Sequence, residues 1–116
     1  MRINIYINDA SYTIDVPPEM IEEGGDFFTK MDHDMDQGWQ MSRQFVENPD
    51  GVQRCQIAAD KILTAMHTGN KKLALLMAAY ILRRFPGVQG LQIDTHGEMS
   101  NTKLIKAPET LVPEDD

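Results

Sequence analysis

Between Lys71 and Phe85 the chain reads KKLALLMAAYILRRF, a segment with almost no polar face. At helical spacing it is apolar around most of its circumference, so the rest of the chain must cover it on several sides. Its uninterrupted part, Leu73 to Leu82 between Lys71, Lys72, Arg83 and Arg84, falls short of the roughly 18–20 apolar residues of a membrane span. The flanks carry helix punctuation. Gly69 suits the left-handed position that ends a preceding helix, and Asn70 suits an N-cap. Arg83 and Arg84 complement the negative end of the helix dipole, and Pro86-Gly87 stops the helix. A central helix over 70–85 that touches both other helices and a sheet follows from this pattern.

The N-terminus supplies part of that sheet. In MRINIYIN the isoleucines at 3, 5 and 7 alternate with Arg2, Asn4 and Tyr6, and SYTIDV alternates again through Tyr12, Ile14 and Val16. Turn chemistry at residues 8–11 joins the two runs into a β-hairpin, which Pro17-Pro18 closes. Residues 18–25 allow one helical turn before Gly24-Gly25. From Asp26, a candidate N-cap, Phe28, Met31, Met35, Trp39, Phe45 and Val46 recur at spacings close to the helical period. We read one continuous helix to about Glu47, with a break capped by Asp34 as the alternative. Val52, Cys55, Ala59, Ile62, Leu63 and Met66 form the stripe of a second helix. After Pro86-Gly87, Leu91 and Ile93 alternate within a strand, and Thr102–Ile105 is a weaker one. The order predicts an α+β fold: an N-terminal β-hairpin, a three-helix layer, and a C-terminal strand or hairpin completing a small antiparallel sheet.

From Gly69 through Ala74 to Pro86 the helical hairpin resembles the turn, small-residue and proline positions of a tetratricopeptide repeat. Lys61 and Ile62 stand where that pattern has Leu and Gly, and no second unit follows. A lone unit of that kind cannot bury its own core, so the segment reads as an ordinary αα-hairpin.

At 116 residues the chain suits a single domain, here 1–106, that needs no disulfide to fold. Residues 107–116, APETLVPEDD, combine two prolines with four acids and are expected to be a disordered acidic tail. The single cysteine, Cys55, has no internal partner, and the N-terminus lacks a signal-peptide apolar region, which points to the cytoplasm. A net charge of −7 argues against nucleic acid and against anionic membranes as partners.

Residues 31–39, MDHDMDQGW, concentrate the chemistry. Asp32, Asp34 and Asp36 match the first ligands of an EF-hand loop, but Gln37 stands where glycine is required and Arg43 where the closing glutamate should be. His33 and Asp36 share a helix face, and a divalent-metal site would need Asp94 and His96 to join them. No P-loop, dinucleotide-binding, nucleophile-elbow or Cys-x-x-Cys motif occurs, so no cofactor and no catalytic residue is assigned. Met31, Met35 and Met41 beside Trp39 fit an interaction surface, because methionine and aromatic residues are enriched at interfaces. Asp32 and Asp36 are expected on the opposite face, solvated or docking a basic partner weakly. The function expected is a small non-catalytic interaction or accessory module that binds a protein partner or a second copy of itself. The alternative is a divalent-metal protein using His33, Asp36, Asp94 and His96.

Overall fold

The computed structural model describes residues 1–106, and the expected tail at 107–116 lies outside the described residues. The elements are β1 (Arg2–Ile7), β2 (Ala10–Asp15), α1 (Pro18–Glu23), α2 (Gly25–Asp36), β3 (Trp39–Met41), β4 (Gln44–Val46), α3 (Gly51–Thr68), α4 (Lys71–Arg84), β5 (Val88–Ile93) and β6 (Lys103–Lys106), with a 3-10 turn at Met99–Asn101. The fold is α+β, with three long helices, as the sequence predicts. None of the helices among the described residues is long and apolar enough to cross a membrane.

The main sheet runs β2-β1-β5-β6. β1 pairs antiparallel with β2, and β5 with β6, but β1 and β5 are parallel. The sheet is therefore mixed, not antiparallel throughout as expected. Side-chain alternation reports which face of a strand is buried and is silent on its direction. Direction is set by the crossover through the helices, which returns the chain beside β1 pointing the same way. Ile3 and Ile5 stand beside Ile14 and Leu91 on the face that meets the helices.

α4 behaves as its composition demands. Met77 to Leu82 are buried without interruption, and the helix packs on α3, α1 and β2. α3 shares the central role, with Arg54 to Ala59 all buried and contacts to β5 and β6. Both boundaries between these helices match the sequence: Gly69 has φ +71°, and the Asn70 side chain accepts the Leu73 N–H. Asp50 and Gln53 add a capping box at the start of α3, which satisfies two otherwise unpaired donors.

The continuous helix expected over 26–47 does not form. α2 begins at Gly25 and ends at Asp36, Asp34 lies inside it rather than capping a new helix, and Gly38 at φ +99° turns the chain into a β3–β4 hairpin. A side chain at Gly38 would be strained at that φ and would meet the Phe45 ring. Three aspartates and a glycine already weaken a helix here, and the hairpin keeps Trp39 opposite Val46. The hairpin buries Met41 and leaves Phe45 exposed, so the helical stripe does not extend past Asp36.

Burial sets an expectation for stability. Ile81 is fully buried and Leu76 only partly so. Ile81→Ala should cost about 2–5 kcal/mol in a urea melt, and Leu76→Ala clearly less. Equal losses would contradict this placement of α4.

Candidate functional site

Phe27, Met31 and Met35 recur every fourth residue along α2 and so share one side of it. The turn at Gly38 brings Trp39 to the same side. Leu73 and Met77 of α4 face them across a pocket of about 300 Å³. Met35 and Met77 are buried, whereas Phe27 is 37% exposed and Met31 and Trp39 are half-buried. Lys30, Asp34 and Lys61 supply the polar lining. The Lys61 ammonium lies 4.9 Å from the centre of the Trp39 ring, within cation–π range. Three of the four expected apolar site residues therefore converge. Met41 does not: two residues along β3 on the same face as Trp39, it is 1% exposed and belongs to the core.

Asp32 and Asp36, with side chains 33% and 55% exposed, remain partly solvated but are not free carboxylates. Both bond Arg54, whose own side chain is only 7% exposed. Its Nε donates to the Pro49 carbonyl at 2.8 Å. Nη1 donates to the Asp32 carbonyl at 3.0 Å and to Asp32 Oδ1 at 3.3 Å. Nη2 donates to Asp36 Oδ1 at 2.7 Å and Asn48 Oδ1 at 3.0 Å. The Tyr80 hydroxyl donates to Asp32 Oδ1 at 2.6 Å, and Arg84 Nη1 lies 3.4 Å from the same carboxylate. Burial by itself would lower the Arg54 pKa, but hydrogen bonds to Asp36 and Asp32 outweigh it and hold the pKa above its ordinary value. Burial, and then the bond to Asp32, push the Tyr80 hydroxyl up. Arg54 gave no signal in the sequence, since one cation among the polar positions of an amphipathic helix normally faces water.

The residues of the metal alternative are not assembled. Asp36 is engaged by Arg54, and His33 is exposed. Asp94 Oδ2 accepts the backbone N–H groups of Glu98 and His96, at 2.9 and 3.0 Å, and closes the loop after β5. The Glu98 N–H, and secondarily that of His96, hold its carboxyl below the usual range against the effect of burial. His96 Nδ1 stands 3.7 Å from Asp94 Oδ1 with its side chain 87% exposed. Among the described residues no three His, Cys, Asp or Glu side chains are placed to hold a metal ion.

Cys55 is fully buried. Burial pushes its thiol up to about 12, with Arg84 opposing and Asp32 reinforcing the shift, so it stays protonated and a poor nucleophile.

No family model, curated protein or solved structure matches this chain.

Two measurements test this geometry. Arg54→Met leaves Asp32 and Asp36 without their shared cation. Because Asp36 is 55% exposed and can rehydrate, the loss should fall at the lower end for a broken buried pair, about 2–3 kcal/mol in a urea melt. A neutral substitution would show that the network contributes nothing. The Cys55 thiol should react with a small disulfide reagent slowly in the native protein and rapidly in denaturant, and fast native labelling would contradict its burial.

Proposed function

We infer that the chain is a small non-catalytic protein–protein interaction module, docking its partner at the Met31–Trp39 pocket. The observation that carries this reading is an apolar pocket of about 300 Å³ that is half open and bordered by two lysines. That volume is at the lower limit for small-molecule sites, and it suits one bulky side chain. Trp39 is an anchor of the type that dominates binding energy at interfaces, and Met31 adapts to irregular shapes. Lys30 and Lys61 favour a partner whose apolar anchor lies beside a carboxylate, and Asp34 disfavours the wrong orientation. In this reading Asp32 and Asp36 act behind the surface by fixing the end of α2, and Met41 supports Trp39 from below. A reduced, buried Cys55 accords with a cytosolic location.

The metal reading has no comparable observation behind it, since Asp94 and His96 lie together but no third ligand joins them among the described residues. Trp39 is the only tryptophan, so its emission reports directly on the pocket. Peptides selected from a random library against the native protein should be enriched in a Leu or Phe flanked by Asp or Glu. They should shift Trp39 emission on binding, and Lys61→Glu should weaken them at least about tenfold at low salt. Selected peptides that leave the emission unchanged, or that bind Lys61→Glu equally well, would overturn the reading.

A further inference from the structure

A second surface owes nothing to that pocket. β2 is an outer strand of the sheet, and its far edge carries no strand among the described residues. The orientation of its backbone follows from the first pair of the hairpin. Met1 N donates to the Val16 carbonyl at 2.7 Å, and Val16 N donates to the Met1 carbonyl at 2.6 Å. Bonded and non-bonded pairs alternate in an antiparallel ladder, so the pairs Ile3–Ile14, Ile5–Tyr12 and Ile7–Ala10 are also bonded. The N–H and C=O groups of Ser11, Thr13 and Asp15 therefore point outward.

The two edges of the sheet differ in how they discourage pairing. Opposite β2, the β6 edge carries Lys103 and Lys106 and faces an irregularity between Val88 and Gly90, all common means of blocking an edge. β2 has no proline and no lysine. Its one charge, Asp15, is engaged by Arg2 at 3.2 Å. Beside it runs an apolar groove of about 460 Å³, between Tyr12 and Ile14 of β2 and Ala65, Met66, Ala74 and Leu75 of the helices. Tyr12 remains 47% exposed there.

We propose that this edge pairs with the same edge of a second copy of the chain, antiparallel about a two-fold axis at Thr13, giving a continuous eight-stranded sheet. The sequence of β2 complements itself in that register. Each Tyr12 stands opposite the other copy's Ile14, an aromatic–β-branched pair on the groove side. Each Asp15 stands opposite a Ser11, so the two Asp15 carboxylates lie roughly 13 Å apart by strand rise, beyond the screening length of about 8 Å at physiological salt. An axis at Tyr12 would set Asp9 against Asp15, and an axis at Ile14 would bring Pro17 into the ladder. Thr13 is the register that avoids both. Five paired residues in each strand, 11–15, with one groove on each side make a small interface, so association is weak and concentration-dependent. Added salt strengthens it by screening two bodies of net charge −7.

Sedimentation equilibrium from about 1 µM to 1 mM should show the mass rising toward that of a dimer. Thr13→Pro removes an outward N–H and the exposed hydroxyl bond to Asn4 but no backbone bond to β1, and should leave a folded monomer by circular dichroism. Tyr12→Ala should weaken association at least about tenfold, and it decides the matter if the proline variant does not fold. Thr13→Cys should form a disulfide-linked dimer on mild oxidation, since directly paired residues lie about 5.5 Å apart; Lys106→Cys on the other edge should not. A wild-type monomer at every concentration would overturn the proposal. So would a dimer unaffected by the folded proline variant or by Tyr12→Ala, or one in which Lys106→Cys cross-links as readily as Thr13→Cys. A monomer with Ser11, Thr13 and Asp15 amides protected from exchange would place another segment on this edge and overturn it equally.

Discussion

A guanidinium taken out of water must have its N–H groups matched, because an unpaired buried charge is among the costliest defects a fold can carry. Arg54 meets that requirement only if three other pieces of chain converge on it. Asp32 and Asp36 come from α2, Asn48 and Pro49 from the loop before α3, and the partners of Asp32, Tyr80 and Arg84, from α4. The arrangement fixes the end of α2 against the two central helices. Even the backbone before α3 follows this demand: Asn48 adopts φ +54°, a conformation asparagine tolerates better than most residues, with its amide oxygen on Arg54.

The pocket depends on the same anchor. With the end of α2 held by Arg54, the Phe27, Met31 and Met35 side faces Leu73 and Met77, and the Gly38 turn folds Trp39 over the opening. Asp32 and Asp36 are engaged in building the pocket's support, although Asp36 stays 55% exposed. The pocket beside them is edged by Lys30, Asp34 and Lys61.

α4 separates the two surfaces on which association is proposed. Leu73 and Met77 face the Trp39 pocket, while Ala74 and Leu75 face the groove beside β2. Successive residues turn by about 100° around a helix, so one apolar helix can line both. Occupation of one surface leaves the side chains of the other in place, and partner docking and self-association can coexist on one molecule.

Local preference and periodicity by themselves determined a good deal. The hairpin at 2–15, the αα-hairpin around Gly69-Asn70, the burial of α4 and the shared side of Met31 and Met35 all rest on residues within a few positions of one another, whose spacing carries the information. Only the tertiary structure decided the rest. The parallel pairing of β1 with β5 joins residues some 86 positions apart, and alternation has no memory over that distance. The end of α2 at Asp36 rests on one glycine's backbone angle, after which the hairpin buries Met41 and leaves Phe45 exposed, the reverse of the helical stripe. The fate of Asp32 and Asp36 turned on Arg54, 22 and 18 residues away, because the sequence gives charge and spacing but cannot say which side of a helix the fold will cover.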